Sequence, residues 1–210
     1  AGGGNAVIPA NNVATTYLLN DKYTNTGNTS LPVVYTVVPI SAAGCPGPSQ
    51  TITITINPEP VVSGSLGNSV CSSTTIGLLL NTNGSSVAAA NYNITGRTVA
   101  GGLTPKGTNV TVPASAVAAN YLAGDIYTNT TTLPLNVTYT AVAVSGAGCV
   151  GQPVTITIVI NPEPVLSNGL NATLCSSTAT GLTLATNGTS VGAASYNVTN
   201  ISLSPGLTAS

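Results

Sequence analysis

Short stretches of the chain alternate apolar and polar residues with a period of two. Thr51 to Ile56 reads Thr-Ile-Thr-Ile-Thr-Ile, and Val154 to Ile160 follows the same rule. Such alternation places β-branched apolar side chains on one face and hydroxyls on the other, as in a strand buried on one side. Val33 to Ile40 and Val137 to Val144 alternate likewise around Tyr35 and Tyr139. Between the members of each pair lie Ala42-Ala43-Gly44-Cys45-Pro46-Gly47 and Gly146-Ala147-Gly148-Cys149-Val150-Gly151, whose glycines suit a hairpin loop. The pattern therefore predicts two antiparallel hairpins. Further strands are predicted at Thr75 to Leu80, Tyr92 to Val99 and Asn109 to Val112, punctuated by Asn83-Gly84 and Gly101-Gly102. A strand about every ten residues predicts a sandwich. Ala114 to Ala123 lacks a sustained helical period and is expected to be a loop with at most one turn.

The elements recur. Asn57-Pro58-Glu59-Pro60-Val61 returns as Asn161-Pro162-Glu163-Pro164-Val165, 104 residues on. Cys45 maps to Cys149, Cys71-Ser72-Ser73-Thr74 to Cys175-Ser176-Ser177-Thr178, and Tyr23-Thr24-Asn25-Thr26 to Tyr127-Thr128-Asn129-Thr130. A small insertion and deletion between Thr26 and Tyr35 is expected to shift the register briefly. The period is one domain long, so the fold class is all-β, with tandem β-sandwich repeats of about 104 residues.

Two prolines in each Asn-Pro-Glu-Pro segment end a strand and read as a linker. Phased on them, residues 1–56 are the C-terminal half of one repeat, 57–160 a complete repeat, and 161–210 the N-terminal half of the next. A half sandwich exposes strand edges and an apolar face, so both flanking segments need partners. Either the chain is a window of a longer covalent array, or residues 161–210 of one copy complete residues 1–56 of another.

Composition narrows the function. Charged residues make up 3% of the chain, with 3 bases and 4 acids, against roughly a quarter in an ordinary domain. Hydration must come from Thr, Ser, Asn and Gly, and without basic patches neither nucleic acid nor an anionic membrane is an expected partner. The core must be built without Trp, Phe or Met, from aliphatics and the 8 tyrosines. No apolar run reaches the length of a membrane span, and Ala1 to Asn5 does not open a signal peptide.

With no histidine, neither a Ser-His-Asp nor a Cys-His arrangement can be built. No catalytic, cofactor or metal site is expected. The acids Asp21, Glu59, Asp125 and Glu163 read as solvated turn and linker residues, with junctional calcium the lesser reading. The cysteines Cys71, Cys149, Cys45 and Cys175 suit an oxidising compartment. A Cys71–Cys149 bridge inside the complete repeat is the first pairing considered. Its rival joins Cys149 to the first cysteine of the preceding repeat, because a sandwich holds the two loops at opposite ends. Under complementation, Cys175 of one copy is expected to meet Cys45 of the next. Ten Asn-X-Ser/Thr sequons, Asn83, Asn93, Asn109, Asn129, Asn136 and Asn197 among them, follow from a composition rich in these residues.

Tyr127-Thr128-Asn129-Thr130-Thr131-Thr132-Leu133-Pro134, Val137-Thr138-Tyr139-Thr140, Gly148 to Thr157 and Asn161-Pro162-Glu163-Pro164 together resemble the PKD-like, immunoglobulin-like repeats of giant secreted proteins of Bacteroidetes-type bacteria. Val70-Cys71-Ser72-Ser73-Thr74 resembles that repeat's Cys-Ser-Gly-Thr start, with Ser73 in place of glycine, and the tryptophan often found near Tyr92 and Ile94 is missing. The resemblance implies a secreted, non-catalytic module of surface adhesins, gliding-related fibres or matrix. The expected function is a structural repeat of an extracellular fibre, stalk or adhesin, partnered by neighbouring copies. A carbohydrate- or surface-binding sandwich is the alternative, with Tyr121 or Tyr127 as its candidate platform.

Overall fold

The computed structural model describes residues 4–208 and contains strands, turns and no helix among them. In chain order the strands are β1 (Leu31–Val37), β2 (Gln50–Ile56), β3 (Asn68–Cys71), β4 (Ala89–Val99), β5 (Leu103–Pro105), β6 (Ala114–Val117), β7 (Tyr127–Asn129), β8 (Leu135–Ser145) and β9 (Val154–Asn161). Five of them form one sheet in the order β3-β9-β8-β4-β6, and all its pairings are antiparallel except β3 with β9. β5 pairs with β7. β1 and β2 form a separate two-stranded ribbon. The chain is all-β and immunoglobulin-like.

The core follows from the alternation. Val137, Tyr139 and Ala141 of β8, Ile156, Ile158 and Ile160 of β9, and Tyr92 and Ile94 of β4 are buried on one face of the large sheet. Val62, Ile76, Leu78, Leu80, Leu103, Leu122 and Tyr127 close over that face as the second layer. Tyr127 and Tyr139 are among the largest fully buried side chains, so tyrosine takes the place of the absent Phe and Trp.

Several expectations are corrected. Residues 75–80 alternate correctly but form no strand. They hang on the 119–125 turn through N–H donation from Ile76 to Asp125 O (2.9 Å), Gly77 to Ala123 O (3.0 Å) and Leu80 to Ala119 O (2.9 Å). Residues 109–112 are irregular as well, and the first half of 114–123 is not a loop but the edge strand β6. The insertion and deletion near Thr26 do not occur. Leu31 pairs with Ile56 as Leu135 pairs with Ile160, so the 104-residue offset runs unbroken through the hairpins. Residues 1–3 and 209–210, the outer ends of the two flanking halves, lie outside the described residues.

The segment joining the ribbon to the sandwich is packed rather than loose. Pro58 and Pro60 are buried, and a Cβ at Gly151 would collide with the Pro60 carbonyl oxygen. The carbonyl is backbone and a Cβ is fixed rigidly to its own Cα, so relief requires moving the chain. Gly151→Ala is expected to destabilise the sandwich by about 2 kcal/mol, read as a lower denaturation midpoint. An unchanged midpoint would mean that Pro60 is not seated there.

Candidate functional site

Asp125 follows Gly124 at the end of a turn and leads into β7, which carries its side chain inward. It is fully buried, correcting its reading as a solvated turn residue. Its Oδ2 accepts from the Tyr139 hydroxyl at 2.6 Å and lies 3.6 Å from the Arg97 guanidinium, while its Oδ1 accepts the Val110 N–H at 2.8 Å. The Tyr127 and Tyr139 hydroxyls are 2.9 Å apart. Arg97 also donates to Val110 O at 3.0 Å. Both carboxylate oxygens are thus committed to protein donors, so the cluster is a structural clasp rather than a cation site.

Burial raises the pKa of Tyr139, Tyr127 and Tyr92, and the hydrogen bond to Asp125 raises that of Tyr139 further. The unfolded chain therefore ionises first as pH rises. Stability is expected to be unchanged through neutral pH and to fall above about pH 10. Tyrosinate absorbance from Tyr92, Tyr127 and Tyr139 should appear only together with unfolding; reversible ionisation of all tyrosines in the folded state would contradict this burial.

The same cluster is built a second time on the ribbon. Asp21 Oδ2 accepts from Tyr35 at 2.7 Å, its Oδ1 accepts the Ala6 N–H at 2.7 Å, and the Tyr23 and Tyr35 hydroxyls are 2.9 Å apart. The Tyr35 hydroxyl and the Ala6 amide lower the Asp21 pKa, and the bonds to Tyr23 and Asp21 raise that of Tyr35. Here the cluster faces solvent. Ile52 and Ile54 are 47% and 46% exposed, whereas their counterparts Ile156 and Ile158 are 3% and 0% exposed. A trough of about 1560 Å³ runs along this face, lined by Ile8, Val33, Tyr35 and Ile52.

Residues 161–208 show the reciprocal picture. They carry the turns of residues 57–104, including N–H donation from Asn187 to Val165 O (2.9 Å), as from Asn83 to Val61 O (2.9 Å). Tyr196, Val198 and Leu207 are exposed, where Tyr92, Ile94 and Leu103 are core. Ile201 stands at the position of Arg97.

The two Asn-Pro-Glu-Pro segments make one contact twice. Glu59 N–H donates to Asn25 O at 2.8 Å and Glu163 N–H to Asn129 O at 2.9 Å. Pro60 is buried beneath Gly151, whereas Pro164 is exposed. Asn57 and Pro58 share a cleft of about 290 Å³ with Asn28, Ser145, Gly146 and Ala147, which seats the β8–β9 hairpin against the preceding ribbon.

The four cysteines are free thiols in the single chain. Cys71 pairs with Asn161 at the C-terminal end of β9, while Cys149 lies before its N-terminal end. A strand of that length separates them by roughly 20 Å or more, far beyond the Cα separation a disulfide allows. The Cys71–Cys149 bridge within one sandwich is therefore excluded. In a sandwich closed in the same way between two copies, Cys175 and Cys45 would stand equally far apart.

Asparagine was the signal missed. Asn129 is buried and donates to Leu133 O (2.9 Å) and Ile160 O (2.8 Å), and its Oδ1 accepts the Thr131 N–H (3.1 Å). Asn25 repeats the arrangement on Thr29 and Ile56. Asn109 bonds both backbone groups of Ile126, as Asn5 does those of Lys22. Several sequon asparagines are thus loop clasps, which their recurrence at a fixed offset could have revealed. Ser73 and Ser177 adopt φ of 62° and 59°, the left-handed region where the resembling repeats place glycine. Tyr127 is core, and the Tyr121 hydroxyl is turned to Thr111 O (3.0 Å), so they form no open sugar platform.

No curated protein and no solved structure matches the chain. A family model described as PKD-like domain matches residues 5–60 and again residues 68–164, the second match spanning β3 to β9 and the first only the segment equivalent to its later part. The chain therefore belongs to the PKD-like domain family.

Proposed function

We propose that the chain is a non-catalytic structural repeat of an extracellular fibre, stalk or surface adhesin. In this reading its sandwiches are spacers joined end to end with neighbouring copies of the same repeat. One observation carries it: the ribbon and residues 161–208 expose, position by position, the faces that the central sandwich buries between its own two halves. Apolar faces of this size on a chain with 3% charged residues are stable in water only when covered. Family membership supports an extracellular module, since PKD-like domains are generally extracellular. No described helix is long and apolar enough to cross a membrane. The packed Asn-Pro-Glu-Pro contacts support a stiff array, because each sandwich is hydrogen-bonded to the ribbon before it.

Antibody labelling of intact producing cells, viewed by electron microscopy, tests the location and form. Label along surface or shed fibres is expected. Label confined to the interior would overturn the reading.

A further inference from the structure

We propose that the open face of residues 4–60 is closed by residues 161–208 of a second copy of this chain. We further propose that each joint is locked by two interchain disulfides, Cys149 to Cys175 and Cys45 to Cys71. This deepens the structural reading above by naming the partner and the bond.

The intact sandwich supplies the register. β3 lies parallel to β9, with Val70 opposite Ile160 and Cys71 opposite Asn161. Moved back by one repeat, Leu174 of the second copy lies opposite Ile56 and its Cys175 opposite Asn57, on the free edge of β2. β4 pairs with β8 through Ile94 opposite Ala141 and Arg97 opposite Tyr139. The same shift sets Val198 of the second copy against Val37 and its Ile201 against Tyr35. The exposed Tyr196, Val198 and Leu207 then enter the face where the exposed Ile52 and Ile54 wait. Each side lacks what the other offers.

The disulfides follow from the junction already present in one chain. Asn57 shares its cleft with Ser145, Gly146 and Ala147. That hairpin carries Cys149, whose N–H donates to Ser145 Oγ at 3.1 Å and whose carbonyl accepts the Ser145 N–H at 2.9 Å. An incoming Cys175 lies about one strand spacing from Asn57, and so meets the hairpin of Cys149. At the same joint, Cys71 of the second copy, beside its Asn161, meets the hairpin of Cys45 of the first copy, where Ser41 and Cys45 make the same two hydrogen bonds, at 3.1 and 3.0 Å. All four cysteines are used, and each bond crosses from one sandwich to the next.

Formation requires an oxidant, for which a small-molecule disulfide suffices. One cysteine thiolate attacks its S–S bond and expels one thiol, and the second cysteine then displaces the other. Per bridge, the two cysteines lose two protons and two electrons, and the oxidant is reduced to two thiols.

The test refolds the full 210-residue chain in a mixed oxidised and reduced glutathione buffer, using equal parts of isotopically labelled and unlabelled copies. Non-reducing electrophoresis should show a ladder in steps of 20.5 kDa that collapses on reduction. Peptide mass mapping should find Cys149–Cys175 and Cys45–Cys71 links that mix labelled with unlabelled copies. Cys175→Ser should leave Cys149 free and keep the Cys45–Cys71 link. A chain with all four cysteines replaced by serine should still associate in dilute buffer, without covalent links. Cys71–Cys149 or Cys45–Cys175 links, or four free thiols in associated chains, would overturn the disulfide assignment. Monomers from both the oxidised and the serine-substituted chain would overturn closure by a second copy. Neither result bears on the surface labelling that tests the broader function.

Discussion

Asp125→Ala is expected to destabilise the central sandwich by about 3–4 kcal/mol, because it strips a buried cluster of its acceptor. The Tyr139 hydroxyl, the Val110 amide and the Arg97 guanidinium all lose a partner at once. Asp125→Asn keeps an oxygen for the amide but loses the charge facing Arg97, so an intermediate loss is expected. Denaturant titrations should show the midpoint falling with an unchanged slope. The matching Asp21→Ala acts on an open cluster with no arginine across from it, and its effect on the dilute chain should be much smaller. Equal effects at the two positions would contradict the difference in burial.

Ile158→Ala is expected to cost about 4 kcal/mol, as a fully buried aliphatic residue at the centre of β9. Ile54→Ala, at the same place in the neighbouring repeat, is expected to cost less than about 0.5 kcal/mol in the isolated chain. The pair is an internal control, because both residues hold the same register in their hairpins, Ile54 opposite Val33 and Ile158 opposite Val137, and differ chiefly in the covering layer. In assembled material the two costs should converge if the proposed joint covers Ile54. If Ile54→Ala left assembly intact at every concentration, that face would not be the joint.

The long strands were legible because β2, β8 and β9 have seven or more residues each and carry the alternation over most of that length. The short ones were not. β3, β5, β6 and β7 have three or four residues, too few for a period to declare itself, and tertiary pairing decides them. Residues 75–80 show the converse failure, an apolar run whose inward Ile76, Leu78 and Leu80 are spaced as in a strand but whose backbone bonds go to a turn. Asp125 looked solvated because it follows a glycine in a turn. The signal that it is buried was the recurrence of Asp-X-Tyr with a later Tyr, at Asp21, Tyr23 and Tyr35 and again at Asp125, Tyr127 and Tyr139. The junction was beyond the sequence. That Asn57, Pro58 and the Cys149 hairpin share one cleft depends on how consecutive repeats dock, which no periodicity encodes.

Electron microscopy of the native material is the decisive measurement of end-to-end stacking. A filament of stacked sandwiches is predicted, with an axial repeat of one domain, about 35–50 Å for a module of this size. Dispersed single particles with no axial repeat would contradict it.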